Sequence, residues 1–198
     1  MLVLVWILNL LISWWNARAV GLSWVEARHY GGWPRLMCWA GAVQSAAGFT
    51  WCYLLALAFG GWYFDFLPDR ALTIMLGIGY LIIVPAMLLS GLAIMLDSWA
   101  QAYRSGSLLD IGIASYNTYA QIHNTYAAAE SFSAVIQGLG EALTPSSDSD
   151  DDSSGLVIVL GIVAAVVSVG LGVLTTYTII NRYAGSVPLP AKKEAAEQ

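Results

Sequence analysis

Residues 71–96 read ALTIMLGIGYLIIVPAMLLSGLAIML and contain no Asp, Glu, Lys or Arg. A bilayer span needs about 20 predominantly apolar residues, so the run predicts a transmembrane helix on length alone. Residues 36–64 and 153–181 pass the same test, each as 29 residues without a charge, and residues 1–17 are also free of charge. The whole chain of 198 residues is 58% hydrophobic and 11% charged, against roughly 45–50% and about 25% in a soluble domain. The expected fold is therefore all-α: a polytopic membrane protein with four transmembrane helices and one long amphipathic helix between the third and the fourth.

Working outward, residues 1–96 form a three-helix membrane region with an interfacial turn at 21–35. The first segment has neither the basic start nor the small-residue cleavage site of a secretory signal, so it reads as a retained helix. Asn9, Ser13 and Asn16 share one of its faces, and an unpaired amide in hydrocarbon is costly, which predicts that this face meets protein. Ser23-Trp24-Val25-Glu26 has capping-box spacing and predicts a new short helix. Gly31-Gly32 should stop it, and Pro34 suits the first turn of the next helix. Trp24 and Trp33 beside Arg28, His29 and Arg35 suit the headgroup layer.

The second helix carries small residues in register at Gly41, Ser45, Gly48 and Cys52, and the fourth at Gly161, Ala165, Ser168 and Gly172. Small residues let membrane helices approach closely, so both stripes read as helix-packing faces. Gln44 lies beside the first stripe and, with Asn9 and Ser13, makes up the intramembrane polar set. Pro85 sits inside the third helix, where it leaves the carbonyl of residue 81 without its helical donor and predicts a kink.

Residues 97–144 resemble a span least. Tyr119, Ile122, Tyr126, Ala129, Phe132, Ile136, Leu139 and Leu143 recur close to every 3.4 residues, near a heptad, which predicts an apolar docking stripe on a long amphipathic helix. Asn117, Gln121, Asn124 and Ser131 form the face expected to lie opposite. The helix should lie on the membrane or against neighbouring subunits. Residues 145–155 read as an acidic flexible linker, 156–182 as the fourth transmembrane helix and 183–198 as a flexible tail. Asp148, Asp150, Asp151 and Asp152 account for most of the net charge of −5. Their spacing begins like a calcium loop, but Ser153 and Val159 stand where that loop needs Gly and Glu.

Eight Lys+Arg against thirteen Asp+Glu leave no basic stripe for phosphates, so no nucleic-acid partner is expected. Cys38 and Cys52 are too far apart on one helix to bridge within the chain. With two histidines, His29 and His123, and no hydrolase, zinc-protease or nucleotide-binding motif, no catalytic, cofactor or metal site is expected. The charge-free runs also lack the buried carboxylate of a coupled carrier.

Arg18, Arg28 and Arg35 before the second helix, against Arg70 after it, favour a cytoplasmic first loop and an outside N-terminus in a plasma or inner membrane. Four spans would then leave the tail outside, although Arg182, Lys192 and Lys193 after the last span prefer the cytoplasm. The function expected is that of a non-enzymatic structural or assembly subunit of a membrane complex, acting through helix–helix packing. Its partners are the lipid bilayer and other membrane subunits or copies of itself. The alternative is a small oligomeric channel or membrane-permeabilising protein.

Overall fold

A computed structural model describes residues 2–144 and 151–187. They form five long helices: α1 (Leu2–Tyr30), α2 (Gly32–Phe64), α3 (Asp69–Ser105), α4 (Leu108–Leu143) and α5 (Asp151–Ala184). Of these, α1, α2, α3 and α5 are long and apolar enough to cross a membrane. The chain is an all-α polytopic membrane protein. Large apolar side chains such as Leu4, Ile12, Leu89, Val166 and Leu174 point outward, as spans in contact with lipid require.

The helices alternate in direction. Trp6 reaches the carbonyl of Cys52 and Trp24 stacks edge-on against Trp39, which makes α1 and α2 antiparallel. Ser90 meets Gln44, and Trp33 donates to Asp97, so α3 again runs against α2. The start of α5 lies beside the start of α3, with Gly161 against Ala71 and Ile74, and its end lies beside the second half of α1, with Gly21 against Ile180. Hence α1, α3 and α5 point one way, and α2 and α4 the other. Ala47 and Leu54 of α2, Leu72, Met75 and Ile83 of α3 and Ala165 of α5 form the main core. A second cluster joins Val20 and Ala27 to Cys38 and Ile180.

The expected interfacial turn at 21–35 is corrected. No helix starts at Ser23; α1 continues through it to Tyr30, and the Ser23 hydroxyl donates to the carbonyl of Ala19. A capping box needs a non-helical residue at its start, and packing of Val20 and Ala27 on Cys38 holds this turn helical. The stop is where expected: Gly31 and Gly32 have φ of 62° and 55°, and the Gly31 amide donates to the Ala27 carbonyl. Only glycine adopts such angles cheaply.

The expected linker is shorter than read. Asp151 to Gly155 already belong to α5. The rest of the linker, 145–150, lies outside the described residues, as does the tail from 188 onward. Tyr183 and Ala184, read as tail, close α5.

The long helix between the third and fourth apolar helices is present as α4, and the difference lies in its neighbour: expected on the membrane or against other subunits, it packs on α3 of its own chain. Gly106, with φ 63°, closes a two-residue turn after α3, and α4 then runs back along the whole of α3. Trp99 donates to Thr118, Gln121 to the carbonyl of Leu88 and Tyr80 to the carbonyl of Ala128. At the far end Arg70 donates to the carbonyls of Ala142 and Thr144.

Candidate functional site

The two small-residue stripes are occupied within the chain. A side chain on Gly41 would meet Val20, and one on Gly48 would meet Ser13. Cys52 packs under Asn9 and Trp6, while Ser45 is fully buried. On α5, a Cβ on Gly172 would lie 2.7 Å from the amide nitrogen of Thr50 and 2.8 Å from the carbonyl of Ala46. One on Gly161 would lie 2.8 Å from the carbonyl of Ala71. Ala165 and Ser168, both fully buried, complete this face. The stripes hold the bundle together and are not available to a neighbour.

The intramembrane polar residues are likewise paired. Asn9 donates at 3.1 Å to the carbonyl of Gly48 and at 3.1 Å to the Cys52 sulfur. Ser13 is buried against Gly48. The Gln44 carbonyl oxygen accepts from the Ser90 hydroxyl at 2.6 Å. Asn9 and Ser13 thus sit in the α1–α2 contact and Gln44 in the α2–α3 contact. Pro85 lies inside α3, which continues unbroken through it, and lines a shallow apolar groove with Thr125, Ala129 and Phe132 of α4.

The outer face of α4 is left uncovered within the chain, as are the apolar outer sides of the other helices. Of the face expected opposite the stripe, Asn124 is exposed, while Gln121 and Ser131 point at α3, Ser131 sharing a hydrogen bond with Tyr80 at 2.9 Å. Ala114 and Ala142 are buried with them. The expected docking stripe starts outside, with Tyr119 68%, Ile122 64% and Tyr126 67% exposed. Phe132 and Ile136 are less so, and Leu139 packs on Gly77 in the α3 contact. A 3.4-residue repeat drifts steadily around a helix of 3.6 residues per turn, so the stripe begins on the outside and turns toward α3 by Leu139, with Leu143 still exposed at the end of the helix.

Another row stays outward throughout. Ser115, Tyr119, His123, Tyr126, Glu130, Ser133 and Gln137, spaced four, four, three, four, three and four apart, are all exposed. Every one of them is polar or amphipathic, and the Tyr119 ring stacks on His123 with centroids 6.1 Å apart. Since Gln121 is level with Leu88 and Ser131 with Tyr80, His123, Tyr126 and Glu130 stand beside the middle of the 71–96 run. A reading for apolar periodicity passes over this row, whereas a search for polar residues at helical spacing finds it.

Among the described residues, no cluster of three or more His, Cys, Asp or Glu is placed to hold a metal, and Cys38 and Cys52 are both free. The fold and this site define a helical membrane protein with an uncovered polar face on one helix. Comparison of the chain with protein-family models, curated proteins and solved structures found no match.

Proposed function

We propose that the protein is a non-enzymatic structural or assembly subunit of a membrane complex and that it docks through the outer face of α4. The observation that carries this reading is the outward row from Ser115 to Gln137, level with the most apolar part of α3. A carboxylate or an imidazole at that level is expensive in lipid, and such residues normally face protein or water. A neighbouring membrane protein can take up their hydrogen bonds while Tyr119, Ile122, Tyr126 and Phe132 supply contact area. The small-residue stripes support the same reading in another way: they make a rigid four-helix platform that presents α4.

The test is gentle solubilisation of the protein from its own membrane, followed by mass determination and identification of what travels with it. A complex larger than one chain, which dissociates when Tyr126 and Glu130 are both replaced by Ala, is the expected result. A single chain that is unaffected by the two substitutions overturns the proposal.

A channel is the second reading, favoured by the same row, because Ser, His, Glu and Gln side chains can line water. It now rests on α4 alone, since Asn9, Ser13 and Gln44 are engaged between helices. Ion flux through liposomes containing the protein, lost in Glu130→Leu, would favour the channel over a purely structural subunit.

A further inference from the structure

We infer that α4 crosses the bilayer as a fifth span, with its start at Leu108 on the cytoplasmic side and its end at Leu143 outside. The first argument is topological. α3 and α5 run in the same direction, with Gly161 near the start of one packed on Ala71 near the start of the other. Both are apolar enough to span. A chain that leaves α3 on one side and enters α5 on the other must return across the membrane between them. The segment that makes the return is α4, paired with α3 from Trp99–Thr118 at one end to Arg70–Ala142 at the other.

The second argument is the distribution of charge. Arg18 stacks on Tyr183 at the end of α5, and Arg28 lies beside Asn181 in the groove at that level. Arg104 lines a cleft with Pro34 at the same end of the bundle. Arg35 and Arg182 belong to that end by position, and Lys192 and Lys193 follow α5 in the sequence. Five of the eight cations therefore lie at one end, namely Arg18, Arg28, Arg35, Arg104 and Arg182, and Lys192 and Lys193 come after that end in the sequence. The eighth, Arg70, is at the other end, bonded to the last carbonyls of α4, where a cation is favoured by the helix dipole. Cytoplasmic flanks collect Lys and Arg, so the cationic end faces the cytoplasm. Four spans leave Arg182 and the two lysines on the wrong side; five put them on the right one.

Composition conceals this span. Its 36 residues would extend about 54 Å as a helix, enough to cross a hydrocarbon core of about 30 Å. Its charged and amide groups nevertheless keep it below the apolarity of the other four. Pairing with α3 offsets part of this deficit, as polar segments at membrane depth persist where protein covers them.

The experiment is cysteine labelling in the full chain in intact cells, using a membrane-impermeant maleimide. Tyr103→Cys reports the start of the return, Thr144→Cys its end and Ser186→Cys the end of α5, against a background in which the native Cys38 and Cys52 are buried. Thr144→Cys should label from outside, and Tyr103→Cys and Ser186→Cys only after permeabilisation. If Tyr103→Cys and Thr144→Cys label from the same side, α4 does not cross. If they label from opposite sides in the reverse sense, the assigned orientation is wrong. Neither outcome depends on whether the protein has a partner: failure of docking leaves the fifth span intact, whereas an α4 that does not cross also removes the lipid argument for docking.

Discussion

Gly161 lies against Ala71 so closely that a methyl group on the glycine would come within 2.8 Å of the alanine carbonyl oxygen and 2.8 Å of the Cβ of Ile74. With the end of α5 lying at the same end of the bundle as the end of α3, this contact makes the two helices parallel, and it admits no side chain. The missing atom on Gly161 thus both permits the packing and records the topology of the chain.

Gly161→Ala and Gly172→Ala should each destabilise the bundle by about 1–3 kcal/mol, the usual range for overpacking against atoms that cannot move aside. Gly170→Ala, on the same helix with nothing within 4 Å of its Cβ position, is the control and should be neutral or slightly stabilising. Thermal unfolding in mild detergent measures this, with a fall in Tm of roughly 2–4 °C expected for each kcal/mol lost.

Removing the hydroxyl in Ser90→Ala leaves the Gln44 oxygen without the donor it has at 2.6 Å. Hydrogen bonds between membrane helices contribute about 0.6 kcal/mol on average, so the expected loss is modest. A double-mutant cycle with Gln44→Leu should return a coupling of that order, while a coupling near zero would mean the bond contributes nothing to stability.

Asn9→Leu should loosen α1 without altering any permeation, because its amide is engaged by the Gly48 carbonyl and the Cys52 sulfur. The readouts are a lower Tm and, for any liposome flux observed with the parent protein, an unchanged rate. A fall in flux with no change in Tm would place Asn9 on a water path instead.

Arg70→Gln should release the end of α4. Its guanidinium donates to the carbonyls of Ala142 and Thr144 at 2.7 and 2.9 Å, and charge-assisted bonds of this type contribute about 1.5–3 kcal/mol. Faster amide exchange confined to the last turns of α4, measured by mass spectrometry, is the expected signature.

Residues 71–96 announced their span because length and lack of charge are sufficient for a lone apolar helix, and the same held for α2 and α5. The stripe from Gly161 to Gly172 could be read as a packing face, since small side chains matter to any close neighbour. That the neighbour is α2 or α3 of the same chain could not be read, because small residues mark closeness and not identity. Ser23 misled for a related reason: a capping pattern is local, whereas Val20, Ala27 and Cys38 decide the helix through contacts distant in sequence. The role of α4 was the hardest to see. Its apolar repeat pointed to one face, but Gln121 and Ser131 pair with α3 through hydrogen bonds that hydrophobic periodicity does not register.

The two-residue turn at Gly106 bears on how the protein is made. Residues such as Trp99 and Thr118 meet across it at a separation of only 19 positions, whereas Tyr53 meets Thr175 across 122. Closing a short loop loses less chain entropy than closing a long one. If α4 is the fifth span, the expectation is that it pairs with α3 as soon as it emerges, before α5 exists, and inserts as the second arm of a hairpin. A mutation that stiffens or lengthens the turn should accordingly be felt during biogenesis, as a chain inserted with its last helix reversed, even where the finished bundle would tolerate it.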